Sequence, residues 1–533
     1  NRFDIAATVG WTGRYENMNN IRVSTNGGLV TENWFDLNAS RYTPSSTLQR
    51  MELLKTGYMG TLSLGWDNYL FLELTGRQER SSTLKDQSFF YPSANLSFLF
   101  TQAFHMPSWW NYGKLRLSYG IVGNAPETYT ANIVYEQGSD NGFTWNTIPS
   151  SWGNADIRPE KKYEYEIGLE SKFLNNRLGI DVSYYNNRVK DQILSTPQPS
   201  TSGVKNVLMN VGEVANHGWD ISISATPILT RDFRWDLTAN YGVYKNKVVK
   251  LADGVPYLEI LNSGGSGIKI QAVEGQPMGD IYAQVPQVNE NGEYLVSDKG
   301  LYLNQTELQK VGNINPAGVG GLFNSFSYKN VFLDFSIDFR IGGDVINEMN
   351  QYATAVGLTP ESLKYRDTEH GGLSYYYPGD NSSSGIPVQV DPSTGVGPNG
   401  EIIYHDGIIL PGVVASTGER NTRIIPAGYY YNTTYNWGTE AEQLTYRHSV
   451  FDNSYVKLRE LTIGYQFPEK MISKLGLGRL SVSVFGRNLF YFYKALKNYD
   501  AESSVGTSWA NQATVGSSTT ATRSFGVSLR ASF

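Results

Sequence analysis

The chain has 533 residues, among them 54 glycines and no cysteine, and aromatic residues make up 13% of it against 18% charged residues. This composition favours β-structure, and the lack of cysteine excludes disulfides, thiolate metal sites and a cysteine nucleophile. Lysine and arginine number 44 against 50 aspartates and glutamates, for a formal charge of −6. A nucleic-acid partner is therefore not expected.

Residues of alternating polarity recur along the chain in runs longer than most globular strands. In one run, Val331, Leu333 and Phe335 oppose Phe332 and Asp334, because successive side chains of a strand point to opposite faces. Applied to the whole chain, this alternation predicts fourteen strands. They are 2–15, 54–65, 69–80, 89–103, 113–124, 162–174, 178–193, 213–228, 233–251, 315–328, 331–345, 453–467, 479–493 and 521–533.

The predicted connections alternate between short turns and long loops. The long ones are 16–53, 125–161, 252–314, 346–452 and 494–520. An up-and-down barrel with short periplasmic turns and long extracellular loops has this asymmetry, and about 9–11 tilted residues are enough for a strand to cross a bilayer. The alternative is a soluble carbohydrate-binding or carbohydrate-degrading β-protein, but such a protein would not explain the asymmetry of short and long connections. The pattern favours a transmembrane barrel.

The last predicted strand alternates apolar residues with small and polar ones. One face carries Phe525, Val527, Leu529 and Phe533. The apolar face of a barrel strand meets lipid, and a final strand removes an open sheet edge by pairing. We interpret these four residues as part of a barrel-closing terminal strand.

Several longer motifs occur in order between Gly57 and Phe533. They are Tyr91–Ser93, Lys114–Asn124, Arg158–Glu170, Asn210–Trp219, Phe323–Lys329, Tyr455–Tyr465, Phe485–Phe490 and Tyr499–Glu502. Together they resemble the SusC/RagA-type TonB-dependent transporters in the outer membrane of Bacteroidota, which are Gram-negative. One departure is 289–293, where the family often has an acidic, calcium-loop-like run; that spacing is broken here, so we predict no metal site.

The resemblance implies an all-β fold, a transmembrane antiparallel up-and-down β-barrel of about twenty-two strands. This chain would supply about fourteen of them as the C-terminal portion, with the plug domain and the TonB-contacting segment lying upstream of it. The implied partners are a SusD-like surface lipoprotein, TonB, outer-membrane lipid and an oligosaccharide or peptide substrate. The implied function is TonB-dependent import of that nutrient. The alternative is a scaffold subunit in a larger outer-membrane assembly or secretion complex.

The sequence offers one candidate for catalysis. Glu164, Glu166 and Glu170 share a strand face, at a spacing within the range that inverting glycosidases use. Polar lumen faces are ordinary in barrels, however, and Lys172 on the same face balances this charge. The five histidines lack the spacing of metal ligands. We therefore expect no enzymatic activity, no metal and no cofactor.

Binding is expected in the loops, because loops on a rigid scaffold carry recognition. Two tyrosine triplets lie within 346–452, and two tryptophans lie within 125–161. These residues are Tyr375, Tyr376, Tyr377, Tyr429, Tyr430, Tyr431, Trp145 and Trp152. Exposed aromatic rings provide flat contact surfaces for sugars or peptide side chains. Alternatively, such long loops need small cores of their own, and the aromatic residues form them. The sequence leaves both interpretations open.

Overall fold

The computed structural model describes residues 2–85, 88–140, 143–198, 200–263, 267–379, 385–436, 445–503, 508–516 and 521–532. Fourteen of its strands form one sheet in which each strand lies beside the next one along the chain. They are β1 (Phe3–Leu29), β2 (Ser40–Trp66), β3 (Leu70–Ser81), β4 (Ser88–Phe98), β5 (Trp110–Asn124), β6 (Glu160–Phe173), β7 (Leu178–Lys190), β8 (Glu213–Leu229), β9 (Phe233–Lys250), β10 (Pro316–Tyr328), β11 (Val331–Gly342), β12 (Tyr455–Gln466), β13 (Arg479–Lys494) and β14 (Ser524–Ser532). The predicted set of fourteen strands is confirmed.

The first two strands extend well beyond their predicted ends. Their antiparallel pairing continues through Ile21 opposite Leu48 towards the tip, so most of the loop expected at 16–53 is strand. Only 30–39 connects the two strands. The alternation failed to predict this extension because both faces of the ribbon carry polar residues, which removes the period of two. Gly27, with φ of +72°, lies at the irregular end of the pairing.

The second difference concerns the strand predicted at 89–103. β4 ends at Phe98, and a single helical turn, α1 (Phe100–Ala103), follows it. The Phe100 ring packs edge-on against Trp110, with 5.3 Å between ring centroids, and occupies the space that a side chain at Gly113 would need. Aromatic packing against β5 therefore ends the strand earlier than the polarity pattern indicates.

The chain divides into two compact units, Asn1–Trp219 with Lys245–Pro256, and Asp220–Tyr244 with Tyr257–Phe533. In the first unit, Asp67 and Asn68 adopt positive φ in the tight turn between β2 and β3. Turns of this kind match the twist of a hairpin. The long connections of the same unit, 125–159 and 191–212, follow β5 and β7. Because antiparallel neighbours place successive connections at opposite strand ends, these two long connections leave the same strand ends, opposite to the turn between β2 and β3.

The second unit has the same asymmetry. Short connections 230–232 and 329–330 join β8 to β9 and β10 to β11, whereas 343–454 and 495–523 follow β11 and β13. Lys329 takes a φ of +52° in its two-residue turn. The connections that could present binding residues thus lie at one end of the strands within this unit.

The connections contain further short elements. The strands are Glu136–Asp140, Phe143–Thr147, Ser151–Trp152, Ile193–Pro197, Asn206–Asn210, Tyr257–Ser263, Ile268–Val273, Asp280–Ala283, Leu295–Val296, Gln309–Asn313, Asp344–Ile346, Leu373–Tyr376, Val388–Gln389, Tyr404–Ile408, Val413–Val414, Ile425–Pro426 and Val450–Asp452. The helices are α2 (Glu348–Ala355), α3 (Ala427–Tyr435) and α4 (Glu469–Ile472), with 3-10 turns at Leu37–Ala39, Ser200–Ser202, Pro360–Leu363, Tyr446–Ser449, Ser473–Leu475 and Asn511–Ala513.

A large buried apolar cluster of the second unit lies in these connections. Ile268, Ile270 and Ile281 of one small sheet are fully buried and pack with Ile346 and Val450. Burial of this kind is the main source of stability for a folded loop region. The described residues of these connections that pack in this cluster therefore form a folded core of their own. In the part of the chain that the structure describes, no helix has the length and apolarity needed to cross a membrane.

Candidate functional site

The first tyrosine triplet lies on the strand Leu373–Tyr376 and the residue after it. Tyr375 and Tyr377 are buried at 1% and 6% exposure and pack with Ile424, and their rings meet edge-on with centroids 5.5 Å apart. The Tyr375 hydroxyl donates to the Asp406 carboxylate over 3.1 Å. Alternation along the chain turns Tyr376 away from this pair, and it is half-buried. Two of the three rings thus belong to a small core of the loop.

The second triplet lies on α3, which begins after Pro426 at a backbone angle that a proline accepts. Successive residues of a helix point about 100° apart, so the three rings separate. Tyr431 is buried, whereas Tyr429 and Tyr430 are half-buried and pack against Leu410 and its apolar neighbours. Tyr430 and Tyr431 line a cavity, and Tyr429 does not.

This cavity has a volume of about 610 Å³ and is walled by five tyrosines. We call it the tyrosine cavity. Its tyrosines are Tyr302, Tyr365, Tyr430, Tyr431 and Tyr435, and its other lining residues include Glu361, Lys364, Leu373, Ile408, Ile409 and Leu410. The volume lies within the range of small-molecule sites, and a mostly apolar lining with few polar groups is typical of them. The tyrosine cavity is therefore a candidate for a ligand site in the second unit.

The hydroxyl groups of the tyrosine cavity mostly bond to the protein itself. Tyr302 donates to the carbonyl of Pro411 over 3.2 Å, and Tyr431 donates to the carbonyl of Glu361 over 2.8 Å. The hydroxyls of Tyr430 and Tyr435 are hydrogen-bonded to each other. Burial raises the pKa of Tyr302 and of Tyr431 to about 12, so both are uncharged at neutral pH.

Charged groups lie at the edge of the tyrosine cavity. Glu361 and Lys364 are exposed and stand one turn apart, at the 3-10 turn Pro360–Leu363 and just after it. The Lys364 ammonium lies 4.7 Å from the centre of the Tyr365 ring, which is a cation–π contact. A ligand that enters would therefore meet both signs of charge before it reaches the aromatic walls.

A second cavity of about 290 Å³ shares Glu361 and Tyr435 with the tyrosine cavity. Its remaining lining is more polar and includes Asn350, Thr354, Lys497 and Asn498. We call it the amide cavity, because Asn498 donates to the side-chain oxygen of Asn350 over 3.0 Å.

His448 also lines the amide cavity and stacks on Tyr435, with ring centroids 4.4 Å apart. Burial and the neighbouring Arg447 lower the pKa of His448 to about 4. The imidazole is therefore neutral at physiological pH. The boundary between the two cavities is thus formed by Glu361 and by the uncharged ring of Tyr435, on which the neutral His448 stacks.

The predicted tryptophan sites lie in the first unit, in the connection after β5. Trp145 is 46% exposed on a small hairpin, whereas Trp152 is half-buried and meets Tyr135 edge-on at 6.1 Å. A pocket of that unit lined by Lys190, Asn210 and Lys250 includes neither ring. Trp145 presents its ring to solvent, and Trp152 takes part in local packing.

The terminal strand carries the predicted apolar face. Phe525, Val527 and Leu529 are 74%, 72% and 68% exposed on β14. Val527 lies opposite Val484 of β13, itself 57% exposed, so the apolar stripe continues onto the neighbouring strand. Phe533 is outside the described residues.

Glu164 and Glu170, two of the three carboxylates considered for catalysis, are paired with cations. Glu164 contacts Lys162 at 2.5 Å, and Glu170 lies 3.6 Å from both Arg116 and Lys172. This is the charge balance expected of a polar barrel face. In the described ranges, no three or more histidine, aspartate or glutamate side chains are grouped so that they could hold a metal ion.

Sequence reasoning missed Tyr302, Tyr365 and Tyr435 as members of the cavity. Each is a single tyrosine in a different segment, and nothing local distinguishes it from the other tyrosines of a chain that has 36 of them. Only the folding of 301–302 against 408–410 brings Tyr302 to the triplet residues. The triplets were a partial signal, since two of their six residues line the cavity.

The first half of the chain matches a known protein family. The family model described as "TonB dependent receptor-like, beta-barrel" matches residues 1–277, just over half of the chain. The chain belongs to this family. Its fourteen-stranded antiparallel sheet is therefore a barrel sheet of a TonB-dependent receptor.

Relatives extend the likeness beyond residue 277. TonB-dependent receptor P3 of Formosa agariphila is 24% identical over 494 residues, which cover 84% of this chain and 42% of P3. TonB-dependent receptor SusC of Bacteroides thetaiotaomicron is 30% identical over 247 residues, which cover 43% of this chain and 24% of SusC. The resemblance to SusC/RagA-type receptors is confirmed, and the protein is an outer-membrane protein of the Bacteroidota type.

A solved structure, that of the RagAB peptide transporter, has the same fold. The matched region covers 92% of this chain and 50% of the chain in the RagAB structure, with a TM-score of 0.66 and 18% identity. This chain spans about half the length of the relatives it matches, or less.

Proposed function

We propose that this protein imports a nutrient, a glycan or a peptide, across the outer membrane with energy delivered through TonB. Membership of the TonB-dependent receptor barrel family is the observation that supports this. A longer polypeptide that includes this chain would supply the plug domain and the TonB-contacting segment. The wall formed by β1 to β14 would contribute to the solute path without covalent chemistry.

The proposed topology places the long connections outside the cell. Within each unit they leave the same strand ends, and short turns leave the opposite ends, as in outer-membrane barrels. The apolar stripe with Phe525, Val527 and Leu529 would then face lipid. The connections 125–159 and 343–454 would lie where a nutrient arrives.

A SusD-like surface lipoprotein is the proposed partner at the extracellular side. The likeness to SusC supports this, and so does the buried cluster around Ile268 and Ile346, because a folded core in the connections gives a partner a defined surface. Tyr430 and Tyr431 of the tyrosine cavity, together with Trp145, are proposed to contact the nutrient. Exposed or cavity-lining rings of this kind bind sugars and apolar side chains.

Deletion of the gene in a Bacteroidota host tests import directly. We expect the deletion strain to lose growth on one class of glycan or peptide offered as sole nutrient, and the full-length gene to restore it. A host lacking TonB function is the matched control and should show the same loss. Affinity purification from outer membranes should recover a surface lipoprotein. Unchanged growth on every nutrient, with secretion subunits in the purified sample, would contradict the proposal.

A further inference from the structure

We propose that the tyrosine cavity is a subsite for a large apolar side chain of a peptide ligand. The inference depends on the import function proposed above and specifies the class of nutrient. The ligand would place an aromatic or branched aliphatic side chain between the tyrosines, and its main chain would remain at the edge.

The floor of the tyrosine cavity is aliphatic. Ile408 and Leu410 are buried at 5% and 3% exposure, and Leu373 and Ile409 complete the apolar lining. An apolar side chain that enters exchanges water for aliphatic and aromatic contact, which is the main driving force for burial in such pockets. The volume of about 610 Å³ accommodates a bulky side chain.

The hydroxyl partners argue against a sugar ring at this depth. The protons of Tyr302 and Tyr431 already bond to the carbonyls of Pro411 and Glu361, and Tyr430 and Tyr435 bond to each other. A buried sugar brings several hydroxyls, and each one left without a partner costs binding free energy. An apolar side chain requires no such partner.

The edge of the tyrosine cavity suits a peptide main chain and its charges. Glu361 and Lys364 are both exposed there, so either sign of charge on a ligand finds a complement. Beyond Glu361 and Tyr435, the amide cavity offers the side chains of Asn350 and Asn498. Amide groups both donate to and accept from peptide bonds. An extended peptide could thus bury one side chain and hydrogen-bond its neighbouring main chain.

The test uses the full-length receptor, purified from outer membranes with whatever lipoprotein accompanies it. One sample is incubated with a tryptic digest of casein and another with a mixture of malto- and xylo-oligosaccharides, and retained molecules are identified by mass spectrometry. We expect retained peptides to be at least several-fold enriched in tryptophan, phenylalanine, leucine and isoleucine over the input. Oligosaccharides should not compete with them.

Paired variants locate the site and decide the chemistry. Tyr365→Ala and Tyr430→Ala remove ring faces, and we expect each to reduce retention of the enriched peptides at least tenfold. Tyr365→Phe and Tyr430→Phe keep the faces but remove the hydroxyls, and peptide retention should stay within about twofold. Tyr352→Ala changes a tyrosine of the same connection that lines neither cavity, and it should have no effect.

Several outcomes would overturn the inference. They are retention of oligosaccharides that the Phe variants abolish, peptide retention without apolar enrichment, enrichment that survives both Ala variants, and no retention of either class. Nutrient uptake in cells is measured separately. TonB-dependent uptake that persists without binding in the tyrosine cavity refutes only the subsite, whereas peptide binding without uptake refutes import.

Discussion

The amino group of Lys457, whose side chain is only 2% exposed, donates a hydrogen bond to the carboxylate of Glu502. The ammonium also lies 4.7 Å from the centre of the Tyr491 ring, and Arg459 donates to the same carboxylate. This contact fixes the connection after β13 to strand β12. The motif around Asp500 and Glu502 in the sequence therefore has a structural role as an anchor.

Removing either partner of this pair should destabilise the second unit to different extents. Glu502→Gln leaves the buried ammonium of Lys457 without its hydrogen-bonded carboxylate, and we expect a loss of about 3 kcal/mol in the free energy of unfolding. Lys457→Met removes the buried charge and leaves Glu502 with Arg459, so the loss should be smaller. Urea unfolding in detergent measures both variants.

The matched control for that pair is Arg487, which contacts Glu460 with both side chains largely exposed. Arg487→Met should cost at most about 1 kcal/mol, because exposed ion pairs contribute little. Equal losses in all three variants would contradict the anchoring role of Lys457.

The apolar stripe of β14 predicts a difference between adjacent positions. Val527 is 72% exposed on the proposed lipid face, and Ser528 points to the opposite face, where it lies opposite Ser483. Val527→Lys should destabilise the barrel by about 2–4 kcal/mol if the residue lies near the bilayer midplane, whereas Ser528→Lys should cost about 1 kcal/mol or less. Unfolding in lipid vesicles measures the difference, and equal effects would count against a lipid-facing stripe.

The lowered pKa of His448 predicts local pH dependence. Its folded pKa is about 4 against an ordinary 6.5, so the unfolded state binds more protons between these values. The contribution of the neutral His448 to the free energy of unfolding is therefore complete above about pH 6.5. It is lost as the pH falls towards about 4, and the loss amounts to up to about 3 kcal/mol. Hydrogen exchange of α3 amides, corrected for intrinsic rates, should show less protection at about pH 5 than at about pH 7.

His448→Phe keeps a ring against Tyr435 but cannot titrate, so the pH dependence of α3 protection should largely disappear. His105→Gln changes an exposed histidine in the first unit and is the matched control. Protection that falls equally in wild type and His448→Phe would assign the effect to another group.

The proposed topology predicts where a protease can cut intact cells. Trp34 and Phe35, at the tip between β1 and β2, are 51% and 87% exposed. We expect chymotrypsin to cleave within 30–39 on whole cells, since exposed loop tips are preferred sites of proteolysis. Leu174, 56% exposed in the short turn between β6 and β7, should be cleaved only after the outer membrane is permeabilised. Cleavage at Leu174 but not within 30–39 on whole cells would show that the barrel has the opposite orientation in the membrane.

Much of the architecture follows from the sequence, because a strand with one apolar and one polar face shows it as a period of two. β11 illustrates this, since its apolar residues from Val331 alternate with polar ones and its predicted start is the observed one. The extension of β1 and β2 did not show the period, because neither face of that ribbon is consistently apolar. The alternation of apolar and polar residues therefore predicts a strand only where one of its faces is buried or meets lipid.

The tertiary structure alone decided which tyrosines could bind a ligand. The triplet that begins at Tyr375 lies at a strand, where two of its rings are buried and the third is turned away. The triplet that begins at Tyr429 lies on a helix, where its three rings diverge. The tyrosine cavity combines residues from Tyr302 to Tyr435, whose proximity depends on long-range packing around Leu410. The sequence by itself determined the number of barrel strands, most of their bounds and the family, since these are encoded locally in alternation and motif. It did not determine the cavity, because a cavity exists only where distant segments fail to fill the space between them.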